Sequence, residues 1–403
     1  MSSEQFSLPS PEAALKARET RGRTLWLSCI AHALHDGYTD ALYVLLPVWQ
    51  AEFGLGFGAL AVLRGIYAGT MASLQLPAGR LAARLGSGAT LALGTLLAAS
   101  GYALAGMSGS LLGLCVALAI SGSGSSTQHP LASGAVSQAF GSEGRGPLGV
   151  YNFSGDIGKA ALPAAMSLLI TLMPWRHALW WLAALGAALA VALIVLFPAM
   201  PRKAPATEAQ SRHGVGAVRG GFGLLFTIGI LDTGVRMGVL TFLPFLLKDK
   251  GIATPMIGTA LALVFIGGAA GKFVCGWLGA RLGVIGTVLA TESGTAACIL
   301  AVMACPLPLA MALLPLLGLM LNGTSSVLYG TVPELAPRNG VERAFALFYT
   351  GTIGSGAIAP VLYGVLGDHI GAQGATLAAA LTALLILPLA LALRPCLIPA
   401  AAG

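Results

Sequence analysis

Charged residues are scarce in this sequence, because Asp, Glu, Lys and Arg together make up only 9% of its 403 residues. Hydrophobic residues make up 56%, and the mean hydropathy is +0.83. A soluble globular chain of this length carries far more charge, so the composition excludes that class. The composition is typical of a polytopic membrane protein instead.

Cysteine is also sparse, and no two cysteines form a CxxC pair. A disulfide framework and a structural metal site are therefore not indicated, and we predict no metal. The sequence has no HExxH motif and no phosphate-binding loop after a strand, which disfavours a metalloprotease or a nucleotide hydrolase. The net charge of +7 comes from scattered basic residues without interleaved aromatics, so nucleic acid is not predicted as a partner.

Apolar runs long enough to span a bilayer recur along the whole chain. A window of about 19 residues predicts an all-α membrane protein with twelve transmembrane helices in two pseudo-symmetric halves of six. The predicted spans are 25–49, 57–79, 88–108, 111–135, 147–172, 176–197, 222–247, 255–279, 284–305, 307–330, 342–366 and 373–394.

The polar segments between these runs predict the domain organisation and the orientation. If the polar N-terminus is cytosolic, that side of the membrane holds 15 basic residues and the other side holds 3. This bias predicts that both termini are cytosolic. The predicted parts are an N-terminal tail (1–24), a six-helix half (25–197), a cytosolic linker (198–221), a second six-helix half (222–394) and a C-terminal tail (395–403).

The two halves contain an internal repeat. Residues 79–86 read GRLAARLG and residues 276–283 read GWLGARLG, at an offset of 197. An offset of 196 takes Asp36 to Asp232 and Gly158 to Gly354. Two repeats of the same orientation predict a pseudo-twofold axis along the membrane normal, with a binding site at mid-membrane between the halves.

The first span carries four titratable residues, although it is long and apolar enough to cross a bilayer. They are His32, His35, Asp36 and Asp40. A carboxylate at mid-depth of a bilayer costs ~2.5–3.5 kcal/mol on insertion scales. These side chains are therefore expected to face a protein interior or a water-filled cavity.

Asp36 and Asp40 are four residues apart and share one face of the helix. Two nearby carboxylates in a partly desolvated site do not both ionise cheaply, so one of them is expected to bind and release a proton. We predict Asp36 and Asp40 as proton-coupling residues, with His32 as a relay one turn away. In the alternative interpretation, Asp40 lies in water near the outer mouth and Asp36 pairs with Arg64 of the next span.

Two further spans carry an acid and a base one turn apart. Asp156 and Lys159 are at i,i+3, and Asp232 and Arg236 are at i,i+4, so each pair shares a helix face. One interpretation is a structural ion pair inside the bundle, and the other is a substrate-binding role in the cavity. Both interpretations stay open at this point.

Arg64 and Lys272 have no partner within a turn of their own helices. Together with the bases of the two pairs, they would give the cavity a positive field suited to an anionic or phosphonate-like substrate. His129 precedes a proline in a span rich in glycine and serine, where its ring either lines the cavity or packs between helices. Glu292, in the ninth predicted span, is interpreted as a helix-packing acid.

Twelve spans in two halves, a basic linker and a Gly-x-Leu-x-x-Arg-x-Gly loop after the second and eighth spans resemble the major facilitator superfamily. The superfamily loop usually carries an Asp where this chain has Ala83 and Ala280, so the charge contact that restrains opening is not expected here. The residues predicted to act in these conformational-gating loops are Gly79, Arg80, Arg84, Gly86, Gly276, Arg281 and Gly283.

Several short stretches are similar to one group within that superfamily, the fosmidomycin-resistance-like exporters. The stretches are His32 with Asp36, EFGL at 52–55, GSGSS at 122–126 followed by His129 and Pro130, GRG at 144–146, GDIG at 155–158, and Pro163. The resemblance implies efflux of a small compound by alternating access.

These observations predict a proton-coupled efflux antiporter for a small anionic organic compound. The expected partners are that compound, protons and the lipid bilayer of a bacterial inner membrane. We expect no cofactor besides the proton gradient, and a monomer. The first alternative is a proton-coupled importer of an organic anion, and the second is a membrane-embedded enzyme or receptor, which the internal repeat disfavours.

Overall fold

The computed structural model describes residues 10–199, 220–336 and 340–397. Nearly all of the predicted linker, the first nine residues and the last six lie outside the described residues. We refer to residues 10–199 as the N-terminal half and to 220–397 as the C-terminal half.

The described residues form helices and no strand. The short connection after α6 is a 3-10 turn at Gly141–Glu143. The α-helices are α1 (Pro11–Phe53), α2 (Phe57–Ser73), α3 (Gln75–Leu85), α4 (Ser87–Met107), α5 (Leu111–Ser125), α6 (Gln128–Phe140), α7 (Arg145–Leu172), α8 (Trp175–Leu196), α9 (Gly221–Asp249), α10 (Thr254–Ala304), α11 (Leu307–Leu335) and α12 (Val341–Leu397).

Helix α1 extends beyond the predicted first span into the predicted N-terminal tail. It begins at Pro11, so residues 11–24 of that tail are helical. Arg21 forms an ion pair with Glu143 at 3.2 Å, and Arg23 donates to the Leu196 carbonyl at 2.8 Å. The helical tail is therefore attached to the ends of α6 and α8, and we call this end of the bundle the tail end. The opposite end is called the far end.

The longest helices change direction at glycines with positive φ. Gly283 has φ 69° inside α10, and Gly371 has φ 76° inside α12. Residues other than glycine rarely adopt this backbone conformation, so these positions require glycine. Gly86, at φ 92° before α4, precedes Gly283 by 197 residues. The helix 284–304 accordingly has the same length as α4 at the same offset.

Seven helices of the described chain are long and apolar enough to cross a membrane, or eight if the pair α2 and α3, bent by 46°, counts as one. Helix α1 is not among them because its histidines and aspartates lower its hydropathy. Helices α10 and α12, with 51 and 57 residues, are each long enough for two crossings. The predicted span 111–135 is divided between α5 and α6.

The predicted gating loops are largely helical. Gly79, Arg80 and Arg84 lie in α3, and only Gly86 occupies a break between helices. Gly276 and Arg281 lie within the first part of α10, which ends at Gly283. The prediction of loops at these positions was wrong, because the alanine- and leucine-rich segments continue the helices up to the final glycine of each motif.

Contacts between the halves close the far end. The Asp368 carboxylate accepts hydrogen bonds from the backbone N–H groups of Phe57 at 2.5 Å and Gly58 at 3.1 Å, at the start of α2. The Gly258 N–H, near the start of α10, donates to Ser167 Oγ of α7 at 2.7 Å. Both contacts join the start of a helix in one half to a helix end in the other half. A carboxylate is especially favourable there because of the helix dipole.

Candidate functional site

Asp36 lies at the centre of a cluster of basic side chains. Its carboxylate is only 6% exposed and forms an ion pair with Lys159 Nζ of α7 at 3.2 Å. His32 Nε2, one turn away on α1, lies 3.3 Å from Asp36 Oδ2. His129 Nε2 of α6 lies 3.5 Å from Oδ1. We call these four residues the Asp36 cluster.

Two glycines of α7 allow α1 and α7 to approach closely enough for these contacts. A Cβ atom at Gly155 would lie 2.6 Å from His32 Cε1 and 2.7 Å from Asp36 Oδ2. A Cβ atom at Gly158 would lie 1.9 Å from the Ala33 carbonyl oxygen. Side chains at these positions would therefore separate the helices that build the cluster.

The hydrogen bonds of His32 determine which of its ring nitrogens faces Asp36. Nδ1 donates to the Tyr151 carbonyl oxygen at 2.8 Å, and the ring stacks on Tyr151 with centroids 4.1 Å apart. A carbonyl oxygen only accepts, so Nδ1 carries a hydrogen and Nε2 is the atom that faces Asp36. A bare Nε2 facing an ionised carboxylate would be repulsive. The contact between His32 and Asp36 therefore requires a proton on one of the two groups.

His35 belongs to a different network, as expected from its position about 100° around the helix from Asp36. Its Nδ1 contacts Ser125 Oγ at 3.0 Å, and its Nε2 contacts Thr95 Oγ1 at 3.0 Å. Thr95 in turn donates to the Leu91 carbonyl oxygen at 2.8 Å. These neutral partners satisfy both ring nitrogens, so His35 has a structural role between α1, α4 and α5.

Asp40 and Arg64 are both buried, at 5% exposure each, but do not form an ion pair in the described chain. The Arg64 guanidinium lies over the Tyr43 ring, with Cζ 5.1 Å from the centroid, and its Nε and Nη1 have no hydrogen-bond partner among the described residues. The positive charges that act most strongly on Asp40 are those of Lys159 and Arg64. The alternative in which Asp36 pairs with Arg64 is wrong, because Asp36 contacts Lys159.

Asp156 is paired with Lys272 of the other half and not with Lys159. Lys272 Nζ donates to both Asp156 carboxylate oxygens at 2.7 Å. Asp156 borders an apolar groove of about 620 Å³ between α7 and α10. Of the two interpretations, an ion pair between Asp156 and Lys159 is wrong, because the i,i+3 spacing indicates a shared face but not the closer neighbours on other helices.

The interpretation of Asp232 and Arg236 as an ion pair is also wrong. Arg236 Nη1 donates to Ser325 Oγ at 2.9 Å, and its Nε has no partner among the described residues. The Asp232 carboxyl group instead lies next to that of Glu292 on α10. Glu292 is 2% exposed and accepts from Thr324 Oγ1 at 2.6 Å.

Glu292 is the residue that sequence reasoning missed. The signal that could have found it was its place in the repeat, because an offset of 197 takes Thr95 to Glu292. Thr95 contacts His35, next to Asp36, and Glu292 contacts Asp232, the counterpart of Asp36. The repeat thus predicts that Glu292 faces the interior rather than a peripheral helix contact.

His32, Asp36 and His129 also have the spacing of a metal site, with ligand atoms within 4.8 Å of one another. The Lys159 ammonium already binds the Asp36 carboxylate at 3.2 Å, in the position that a cation would take. We therefore assign no metal to the cluster.

The comparisons with known proteins agree on one family. The model of the Major Facilitator Superfamily matches residues 28–230 and again 224–402, which together cover nearly the whole chain. The chain belongs to the major facilitator superfamily. This confirms the resemblance drawn from the sequence.

One curated relative of this facilitator is the fosmidomycin resistance protein of Escherichia coli (strain K12), with 25% identity over 190 residues. The match covers 46% of the chain and 46% of the relative, so it spans about half the length of that protein. The solved structures similar to the chain include a bacterial homologue of the human lysosomal transporter Spinster and the nucleoside transporter NupG.

The structural likeness extends over almost the entire facilitator. The inward-facing, unoccupied Spinster homologue superimposes with a TM-score of 0.77 at 15% identity, covering 94% of this chain and 99% of the other. NupG superimposes with a TM-score of 0.75 at 13% identity, covering 92% and 99%. At these identities the likeness shows the fold alone. With the family match, it makes the chain a multi-pass membrane transporter of small molecules and not an enzyme.

Proposed function

We propose that this facilitator is a proton-coupled secondary transporter of a small organic anion, working by alternating access. Twelve crossings, six in each half, would rock around a central site. The breaks at Gly283 and Gly371 support that number by dividing α10 and α12 into two lengths each. We place the protein in a bacterial inner membrane, as a monomer with cytosolic termini and no cofactor beyond the proton gradient.

The observation that carries the proposal is the buried carboxylate of Asp36 against three bases from three helices. When Asp36 is ionised, the Lys159 ammonium is neutralised by it at 3.2 Å. When Asp36 takes a proton, Lys159 loses that partner and becomes available to an anion in the cavity. Proton binding and the charge available for substrate are thereby linked in one cluster.

The remaining bases support an anionic substrate. Among the described residues, two guanidinium nitrogens of Arg64 in the N-terminal half and one of Arg236 in the C-terminal half have no hydrogen-bond partner. Tyr43, beneath Arg64, contacts Met237 Sδ at 3.6 Å, so the Arg64 guanidinium lies near the junction with the C-terminal half. The ion pair of Lys272 with Asp156 is better suited to join the two halves than to bind substrate, because each charge neutralises the other.

The direction of transport has two candidates. The fosmidomycin resistance relative favours export, in which protons and substrate move in opposite directions. The contact of Lys159 with Asp36 favours the alternative, an importer. Protonation of Asp36 frees the Lys159 ammonium to bind an anionic substrate, so the proton and the substrate are bound at the same time. The expected substrate in either case is an organic anion, with fosmidomycin as the first probe.

The test uses purified protein in proteoliposomes with a pH-sensitive dye inside. Fosmidomycin and then a panel of organic anions are added outside. Internal acidification on substrate entry supports co-transport, and internal alkalinisation supports exchange. A signal only with lipophilic cations would contradict the anionic substrate, and transport of an anion without any pH change would contradict proton coupling. The panel is repeated with Asp36→Asn, which is expected to give a smaller pH change for each substrate molecule moved than the wild type.

A further inference from the structure

The C-terminal half contains a second buried acidic site, formed by Asp232 on α9 and Glu292 on α10. The two residues are 4% and 2% exposed, and their carboxyl groups lie next to each other. They are far apart in sequence and are brought together by the packing of α9, α10 and α11. Neither residue takes part in the Asp36 cluster.

No cation neutralises this pair in the described part of the chain. Arg236, the one charged group acting on both acids, directs Nη1 to Ser325 instead of either carboxylate. Helix α11 presents the neutral Thr324, whose single hydroxyl hydrogen goes to Glu292 at 2.6 Å. Helix α12 presents Ser355, which donates to the Ile230 carbonyl oxygen at 2.6 Å. Asp232 Oδ2 has no donor among the described residues.

Two desolvated carboxylates in contact do not both stay ionised without a cation. A hydrogen on one of them turns the repulsive contact into an O–H···O hydrogen bond and neutralises half of the charge. This is the arrangement of a carboxyl dyad that titrates as a unit. The threonine hydroxyls around Glu292 hold the pair in place without supplying the missing positive charge.

We propose that Asp232 and Glu292 share one proton and form a second proton-carrying site of the transport cycle. The inference rests on the proposed function and adds to it: each cycle moves one proton from the Asp36 cluster and one from this pair. Arg236 is one turn from Asp232, and its Nε–H has no partner in the part of the chain that the structure describes. When it turns toward Asp232, the shared proton passes to cavity water, and the guanidinium takes over the neutralisation.

The first experiment tests the shared proton without requiring transport. Infrared spectra of the purified full-length protein in detergent are recorded at neutral pH for the wild type, Glu292→Gln and Asp232→Asn. The wild type is expected to show the C=O stretch of a protonated carboxylic acid, and both variants are expected to lose it. Glu143→Gln, at an exposed acid, is the matched control. A wild-type spectrum without that band, or a band unchanged in both variants, would overturn the proposal.

The second experiment tests whether the proton is carried. The ratio of protons to substrate is measured in proteoliposomes, and Glu292→Gln is expected to reduce it from two to one while substrate still moves. An unchanged ratio would contradict the inference about Asp232 and Glu292 but would not contradict the proposed function. No proton flux in the wild type would instead contradict the proposed function. Gln at this position keeps the acceptor for Thr324, and thermal unfolding of each variant checks its folding.

Discussion

The two halves of this facilitator place an acid at the same position and neutralise it in opposite ways. Asp36 is surrounded by Lys159, His129 and His32, whereas its counterpart Asp232 faces another acid, Glu292. At an offset of 196, the counterparts of His129 and Lys159 are Ser325 and Ser355. The repeat therefore places an acid at the same point in each half. The residues that differ between the halves determine whether a basic side chain or a proton neutralises that acid.

This contrast is stronger because one further pair of corresponding residues carries opposite charges. Asp40 in the N-terminal half corresponds to Arg236 in the C-terminal half. The N-terminal half thus has two acids on one face of α1 with bases supplied by other helices. The C-terminal half has an acid and a base on one face of α9, and the base is turned to Ser325. An ion pair within a helix is weak when better partners lie across a helix interface.

Removing the acid of the N-terminal half is expected to have the largest effect. Asp36→Asn eliminates one of the two proposed proton-carrying groups and frees Lys159 permanently, so uphill transport driven by a pH gradient should fall strongly. The measurement is gradient-driven substrate accumulation in proteoliposomes. Asp249→Asn, at an exposed acid at the end of α9, should accumulate substrate like the wild type. Normal accumulation by Asp36→Asn would contradict the described difference between Asp36, which is neutralised by bases, and its counterpart Asp232.

The close helix contact beneath the Asp36 cluster gives the next largest effect. Gly158→Ala would place a Cβ atom 1.9 Å from the Ala33 carbonyl oxygen and is expected to destabilise the fold by about 1–3 kcal/mol. The repeat counterpart Gly354 has no atom within 4 Å of such a Cβ. Gly354→Ala should be neutral or slightly stabilising. Thermal unfolding in detergent compares the two variants, and equal midpoints would contradict the asymmetry.

The cation that balances Asp36 should contribute a smaller, graded effect. Lys159→Gln removes the ammonium that is proposed to pass between Asp36 and the anionic substrate, and substrate affinity is expected to fall ~10-fold, about 1.4 kcal/mol. Lys159→Arg keeps the charge and should retain most of the affinity. The C-terminal counterpart is the control, because Ser355→Ala removes only a hydroxyl. Binding of labelled substrate to purified protein provides the measurement, and equal losses for all three variants would contradict the assignment.

The smallest expected difference concerns the two contacts that close the far end. Asp368→Asn weakens charge-assisted hydrogen bonds to the start of α2, while Ser167→Ala removes a neutral one to Gly258. Charged hydrogen bonds contribute ~1.5–3 kcal/mol and neutral ones ~0.5–1.5 kcal/mol. Far-end accessibility to a thiol reagent, at an engineered cysteine, should therefore rise more in Asp368→Asn. A larger rise in Ser167→Ala would reverse the ranking.

Much of this arrangement could be predicted from the sequence, because it depends on spacing along a helix or on the repeat. The helix class follows from the long apolar runs. The contact of His32 with Asp36 follows from the i,i+4 spacing, and the separation of His35 follows from the helical turn. The glycines with positive φ at 86 and 283 end the two repeated motifs. These features are local, so periodicity is sufficient to place them.

The partners of the buried charges could not be predicted in the same way. Asp156 binds Lys272 and not Lys159, and Asp232 meets Glu292 and not Arg236. Periodicity gives the face on which a side chain lies but not which helix packs against that face. The choice between two partners depends on close approaches, such as that of α7 to α1 at Gly158. Those approaches are set by the three-dimensional packing of both halves.

The most direct test of the central claim measures proton flux and substrate counterflow in the same proteoliposomes. Counterflow needs only substrate binding and alternation, whereas proton flux also needs the titrating carboxylate of Asp36. The account predicts that Asp36→Asn still exchanges labelled for unlabelled substrate but moves no proton in the N-terminal half, so its ratio of protons to substrate falls below that of the wild type. An Asp36→Asn variant that carries protons at the wild-type ratio would contradict the account.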